Sequence, residues 1–335
     1  MTGTPSHGTT ADGAPDHGAP ARLGTRRSTM ATSQSRMVAD AITERTGRVI
    51  ELELITSFGD VTKAHLTQLG GTGVFVNALR DELHAGTVDF AVHSLKDLPT
   101  TPAEGLVLAA IPERDDPRDA LCARDGLKFT DLPAGARVGT GSPRRVAQLA
   151  ALRPDLVYVP IRGNAETRLG KVASGELDAV VLAYAGLGRV GRTDDVTEVF
   201  EPEQMLPAPG QGALAVECSV ERFDGDLAYL ASVDHPATRA EVVAERTVLS
   251  ELEAGCAAPV GAYAQYDAGT GRLRLRAAVV ATDGSEAVRR ERAADLASPG
   301  DLAAATALGR DLARQMIAEG ADRIVAEAFA ERDTP

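Results

Sequence analysis

Twice along this chain an apolar stretch runs into a Gly-Thr pair and then into a hydroxyl residue that opens a helical pattern. The two stretches are Gly24-Thr25-Arg26-Arg27-Ser28 and Gly139-Thr140-Gly141-Ser142. A strand that ends in a tight turn and feeds a helix at once is the joint of an α/β unit. A chain built on such joints needs parallel strands covered by helices. Around the first joint, Thr29 to Thr46 reads as a helix with Ser28 as N-cap and Gly47 past its end. Ile50, Leu52 and Leu54 alternate with Glu51 and Glu53, which is a strand with one wet face. Val76, Leu79 and Leu83 follow at helical spacing, and 88–92 and 106–111 read as strands. The order then begins again: strand 137–140, a helix from Ser142-Pro143 to about Leu152, strand 157–160, helix 166–174, strand 179–183 and a short helix near Leu187.

A second echo joins the two halves. Gly86-Thr87-Val88-Asp89-Phe90-Ala91-Val92 resembles Gly175-Glu176-Leu177-Asp178-Ala179-Val180-Val181. Strand–glycine–helix junctions are common in α/β proteins, so chance and duplication both stand. Duplication implies two similar α/β domains facing one another. Ligands in such folds sit at the C-terminal ends of strands and in the cleft between domains. The remainder differs. Leu206 to Glu217 is a Gly/Pro-rich crossing followed by a strand. A helix over 238–253, strands at 260–266, 272–280 and 286–291, and helices over about 301–331 form a smaller α+β domain.

Several classes of protein are disfavoured. No apolar run approaches the roughly 20 residues of a membrane helix, and no membrane contact is expected. Residues 1–20 lack the apolar middle of a signal peptide and read as a disordered tail. Cys122, Cys218 and Cys256 are scattered without metal spacing. Their odd number and the missing export signal point to a reducing cytoplasm. A net charge of −13 argues against a nucleic-acid partner. A local basic cleft would be almost all arginine, because the only lysines are Lys63, Lys96, Lys128 and Lys171.

Arginines do cluster at the helix starts. Arg26 and Arg27 flank the first joint, Arg144 and Arg145 the second, and Arg162, Arg168 and Arg189 stand near two further helices. Guanidinium groups are unfavourable at a helix N-terminus, whereas unpaired N–H groups there bind anions. One such arginine reads as a solvated charge; the repeated group reads as an anion cleft. In "HSLKDLP", His93 to Pro99, polar residues follow an alternating strand. Asp97 beside Lys96 is there either an exposed ion pair or a carboxylate that holds a positive intermediate or moves a proton. His93 reads equally as a base or as a satisfied core histidine. Cys122 and Cys218 sit in apolar, strand-like contexts and read as core; Cys256, in a loop of small residues, reads as inert or nucleophilic.

The stretches "TRRSTMATSQ", "GGTGVFV", "DFAVHSLKDLP", "ERDDPRDA", "VGTGSPRR", "RGNAETRL", "LAYAGLGR", "PAPGQGALAVE" and "GCAAPVGAYA", in this order, resemble hydroxymethylbilane synthase (the porphobilinogen deaminase family) over about residues 22–330. The resemblance implies a cytoplasmic, monomeric transferase of porphyrin and haem biosynthesis. Such an enzyme condenses porphobilinogen units head to tail, releases ammonia and frees the linear tetrapyrrole hydroxymethylbilane. It implies two similar periplasmic-binding-protein-like α/β domains around a cleft plus a smaller C-terminal α+β domain. The expected division is 21–114 with 212–232, then 115–211, then 233–335. It implies a dipyrromethane cofactor held by a thioether on Cys256. Asp97 and Lys96 match the catalytic positions. Ser94, Thr140, Ser142, Arg144, Arg145 and Arg168 match cofactor contacts, and Arg26, Ser28, Gln34, Arg162, Gly163 and Arg189 match substrate contacts. Thr72 and Phe58 depart from residues common in the family. Phe75 fits either a loop aromatic over the cleft or an ordinary core phenylalanine.

The residues themselves fit that chemistry. Loss of ammonia from an aminomethylpyrrole leaves a cation that a fixed carboxylate stabilises. Every pyrrole ring carries an acetate and a propionate, which gives arginines a purpose in an acidic protein. Two other readings stand beside it, of which the first shares the α/β halves and the cleft. A non-catalytic anion receptor would need neither Asp97 nor a modified Cys256. Pyridoxal phosphate chemistry would instead make Lys96 indispensable.

Overall fold

The computed structural model describes residues 19–55, 73–255 and 258–333. Phe58, Thr72, Cys256 and most of the expected N-terminal tail lie outside the described residues, as does the side chain of Phe75.

The first domain begins with β1 (Ala21–Arg26), α1 (Thr29–Thr46) and β2 (Ile50–Ile55). α1 has the bounds its caps predict. The Ala31 N–H donates to Ser28 Oγ at 3.3 Å, and Gly47 takes a left-handed φ of 72° while its N–H donates to the Thr43 carbonyl. α2 (Gly73–Ala85) packs Leu79 and Leu83 against Val88 and Ala91. β3 (Phe90–Ser94) starts two residues later than the alternation suggests. Asp89 is occupied instead as an anchor, accepting from the Arg22 backbone N–H at 2.6 Å and its guanidinium at 2.9 Å. β4 (Leu106–Ala110) completes this run.

The second domain holds β5 (Asp119–Ala123), β6 (Arg137–Gly139), α3 (Pro143–Leu152), β7 (Val157–Val159), α4 (Ala165–Ala173), β8 (Ala179–Ala183), α5 (Tyr184–Arg189) and β9 (Glu198–Val199). The chain then crosses back through β10 (Leu214–Ser219) and the short α6 (Val220–Phe223). The two five-stranded sheets have matching orders, β2-β1-β3-β10-β4 and β7-β6-β8-β5-β9. β1 is parallel to β2 and β3, as β6 is to β7 and β8. β10 is antiparallel to β3 and β4, as β5 is to β8 and β9. Both sequence echoes therefore fall on corresponding strands, β1 with β6 and β3 with β8. Cys122 and Cys218 are buried in these sheets.

The two crossings touch at the waist, where the Asp115 N–H donates to the Gly212 carbonyl at 3.2 Å. Gly212 has φ +87°, and a Cβ there would overlap the Asp115 carbonyl, so the contact requires glycine.

α7 (Pro236–Glu251) leads into an antiparallel meander of β11 (Val260–Asp267), β12 (Arg272–Val280) and β13 (Ala287–Asp295). α8 (Leu302–Ala318) and α9 (Ala321–Asp333) follow. One apolar cluster joins α7, α8, α9 and the inner face of this sheet. Glu245 of α7, fully buried, ties this domain to the rest. It pairs with Arg114 at 2.7 Å and accepts from the backbone N–H of Gly210 at 2.7 Å and of Ala264 at 2.9 Å.

Candidate active site

Between the two α/β domains lies a cavity of about 840 Å³. Its walls come from the places where strands end and helices begin, as expected for a ligand site in an open α/β sheet. From the first domain it receives Arg26, Ser28 and Gln34, together with His93, Ser94 and Asp97. From the second it receives Arg162, Gly163 and Arg168. Val76, Leu79, Val92 and Val190 supply apolar wall.

Asp97 closes a single 3-10 turn, Leu95–Asp97, directly after β3. Leu95 and Leu98 are buried on either side of it, and the Leu95 N–H donates to the Ala213 carbonyl at 3.0 Å. The turn is thus pinned by its apolar residues while Asp97 reaches the cavity. Beside it, Gln34 Nε2 donates to Ser94 Oγ at 2.9 Å. Across the cavity Asn164 caps α4, accepting from the Thr167 N–H at 2.8 Å. Gly163 has φ +111°, and Arg168 Nε donates to its carbonyl at 2.8 Å. Burial and the nearby Arg145 cation push the Arg168 guanidinium below its usual range. Among the described residues, neither Arg162 nor Arg168 has a carboxylate at ion-pair distance.

Other expected site residues lie behind the wall rather than in it. Arg144 and Arg145 turn inward onto Asp119, at 2.7 Å each, and all three side chains are buried. Burial alone would raise the Asp119 carboxyl, but the two guanidiniums overcome it and hold the group well below the usual carboxylate range. Lys96 Nζ donates to Gln211 Oε1 at 3.2 Å, and Gln211 Nε2 donates to Asp119 Oδ1 at 2.9 Å. Burial pushes the Lys96 ammonium down to about 8, against the pull of Asp97. Lys96 and the arginine pair therefore belong to one polar network behind the cavity. Ser142 occupies the N-cap position of α3 with Pro143 after it, yet its side chain makes no cap bond. Its N–H donates instead to Thr140 Oγ1 at 3.3 Å. Arg189 is not in the cavity wall. Its guanidinium holds Asp115 at 2.8 Å and the Gly212 carbonyl at 2.5 Å, which braces the waist.

In the wall, His93 fits the satisfied-histidine reading, and Arg192 is a residue the sequence reading missed. His93 Nε2 lies 3.1 Å from Glu217 Oε2, and Arg80 grips the same carboxylate at 2.8 Å. Glu217 is an acid in the apolar run "ALAVECS", a pattern that signals a buried, paired charge. Arg192 also faces the cavity, and its guanidinium pairs with Asp195 at 2.5 Å.

The cavity suits a ligand with several carboxylates. Arg26, Arg162 and Arg168 stand in its wall together with the carboxylates of Asp97 and Glu166, and behind the wall the buried Arg144 Nε has no hydrogen-bond acceptor among the described residues. Two pyrrole rings, each with an acetate and a propionate, match that donor set. Among the described residues there is no cluster of side chains that would hold a metal ion, and no helix is long and apolar enough to cross a membrane.

Comparison with known proteins identifies the family. The model of the porphobilinogen deaminase dipyromethane cofactor binding domain matches residues 21–224, and that of the porphobilinogen deaminase C-terminal domain matches residues 239–318. The porphobilinogen deaminase of Thermobifida fusca (strain YX) is 75% identical over 314 residues, covering 93% of this chain and 98% of its own length. Porphobilinogen deaminase 1 of Streptomyces coelicolor is 57% identical over 313 residues, covering 91% of this chain and 97% of its own. Among solved structures, the methionine binding protein MetQ overlays with a TM-score of 0.41 at 10% identity, over 64% of this chain and 89% of its own. That likeness is too distant to bear on function.

Proposed function

This chain belongs to the porphobilinogen deaminase family, and from that premise we propose which of its residues carry the reaction. The family polymerises porphobilinogen into hydroxymethylbilane in tetrapyrrole biosynthesis, using a dipyrromethane cofactor. The single observation that carries the assignment is the presence of Asp97 in one cavity with Arg26, Arg162 and Arg168.

In this proposal Asp97 is the catalytic carboxylate. Ammonia leaves the substrate's aminomethyl carbon, and the ring keeps the positive charge. The Asp97 carboxylate sits beside the pyrrole N–H and stabilises that charge. At about 4 Å and an effective dielectric constant of about 20, one such pair is worth about 4 kcal/mol, or roughly 10³-fold in rate. The proton lost from the attacking α-carbon passes to the same carboxylate. Bound, the dipyrromethane supplies the free α-carbon to which the first ring is joined. Arg26, Ser28, Gln34, Arg162 and Gly163 orient the acetate and propionate groups of incoming rings, and Arg168 and Ser94 those of the cofactor, while Thr140 and Ser142, behind the wall, hold the start of α3. Lys96, Arg144 and Arg145 act from behind the wall as a positive field that favours a polyanionic chain. Arg189 meets substrate carboxylates only by releasing Asp115. Cys256, which α7 precedes, is the attachment point.

The proposal includes a monomer acting in the cytoplasm, without nucleic acid; the net charge of −13 supports the last point. It also keeps the division into 21–114 with 212–232, 115–211 and 233–335, which the pairing of β10 with β3 and β4 supports. The test is peptide mapping of the purified chain by mass. A two-ring pyrrole adduct on the Cys256 peptide is expected. An active chain with an unmodified Cys256 would contradict the assignment.

A further inference from the structure

The turn that carries Asp97 is gripped from below by one side chain of the C-terminal domain. Arg246 of α7 donates from Nη1 to the Leu95 carbonyl at 3.2 Å and to the Leu98 carbonyl at 3.0 Å, and from Nη2 to the Pro99 carbonyl at 2.6 Å. These carbonyls bracket Asp97 on both sides. One helical turn earlier, Val242 is buried in the same apolar cluster as Leu95 and Leu98. The adjacent Glu245 grips Arg114 and the N–H of Gly210, a glycine whose Cβ would stand 3.2 Å from Leu95. Successive residues of α7 thus hold the Asp97 turn and the crossing behind it. The same helix ends at Glu251 and leads in sequence to Cys256.

We propose that Arg246 is a positioning residue for the reaction, one that fixes the Asp97 carboxylate relative to the helix leading to Cys256. The inference rests on the proposed roles of Asp97 and Cys256. A chain that grows while it stays attached at one point needs its reacting end brought to a carboxylate of constant position. Three carbonyls of one turn are satisfied by a planar guanidinium fork; an ammonium is a compact point charge and cannot reach all of them at once. Because Arg246 holds these three carbonyls and is not among the residues of the cavity wall, its removal acts on the orientation of Asp97 rather than on substrate affinity.

The experiment uses full-length R246A and R246K, with cofactor loading checked by intact mass and melting temperature recorded. Below the melting temperature, R246A is expected to lose on the order of 10²-fold in kcat, the effect of about 1 Å of misplacement. KM for porphobilinogen should stay within about threefold, as for a loss felt in the transition state alone. R246K is expected to recover part of kcat. A loaded R246A with unchanged kcat and a lower melting temperature overturns the proposal, since Arg246 is then structural only. An equal loss expressed in KM also overturns it. Should R246A fail to fold or load, R246K decides: a reduced kcat at unchanged KM supports the proposal, and parental kcat overturns it. D97N measured in parallel separates the two claims. An active D97N removes the role of Asp97 itself, whereas an inactive D97N beside a fully active R246A removes only the positioning role.

Discussion

Replacing Asp119 with Asn tests how the inward arginine pair is held. Asp119 accepts from Arg145 Nε and from Gln211 Nε2, each at 2.9 Å, and lies 2.7 Å from Arg144 Nη1 and from Arg145 Nη2. The group is fully buried and holds two cations against one anion. Asparagine keeps the shape and removes the one negative charge at ion-pair distance from them among the described residues. Breaking a buried pair of this kind costs about 3–5 kcal/mol, because the partners remain as uncompensated charge. At a urea dependence of about 2–3 kcal/mol per molar, the midpoint should fall by roughly 1–2.5 M. The chain has no tryptophan, so unfolding is followed by far-ultraviolet circular dichroism. The pH dependence has a defined sign. Because the folded pKa of Asp119 is depressed, its stabilisation is present above its unfolded value near about 4 and is lost as pH falls towards the folded value. The difference between parent and variant should therefore shrink in acid. Loaded with a carboxylate-bearing cofactor, the variant should recover part of its loss. A cofactor-free Asn variant within about 1 kcal/mol of the parent at neutral pH would refute the buried-pair explanation.

Lys96 gives a change of the opposite kind. Its folded pKa, about 8, lies below the unfolded value near about 10.4, so the cofactor-free chain should gain about 3 kcal/mol as pH rises through that window. The gain should vanish in Lys96→Met, and an identical slope in both would contradict it. Burial pushes the Cys122 thiol up to about 12 and the Cys218 thiol up to about 11, so neither should react with a thiol reagent at pH 8 in the native protein. After denaturation two thiols should react if Cys256 carries the cofactor, and three if it does not.

The elements most legible in the sequence are those with local signals. Ser28 and Gly47 mark both ends of α1 because capping is decided within a few residues. The Asp97 turn is legible because the apolar run of β3 stops at Ser94. What escaped the sequence depends on partners far away in the chain. Arg144 and Arg145 read as cavity arginines because nothing near them names Asp119, which reaches them only once β5 pairs with β8. Arg189 sits at a helix end beside a cleft, yet Asp115 and the Gly212 carbonyl claim it at the waist. Ser142 has the position of a cap, but Thr140 takes its N–H and the helix proceeds without its hydroxyl. The grip of Arg246 on the Asp97 turn has no sequence signature, because it falls on backbone carbonyls about 150 residues away. The cavity is half legible for the same reason: residues that leave a strand end directly, such as Asp97 and Arg26, are found, and those whose direction depends on packing are not.

The most direct measurement is turnover of cofactor-loaded Asp97→Asn, which keeps the size of the side chain and removes its charge. If that one carboxylate stabilises the substrate's positive ring, kcat should fall by about 10²–10³-fold while the fold and the Cys256 adduct remain. An Asn variant that condenses porphobilinogen at the parental rate would contradict it.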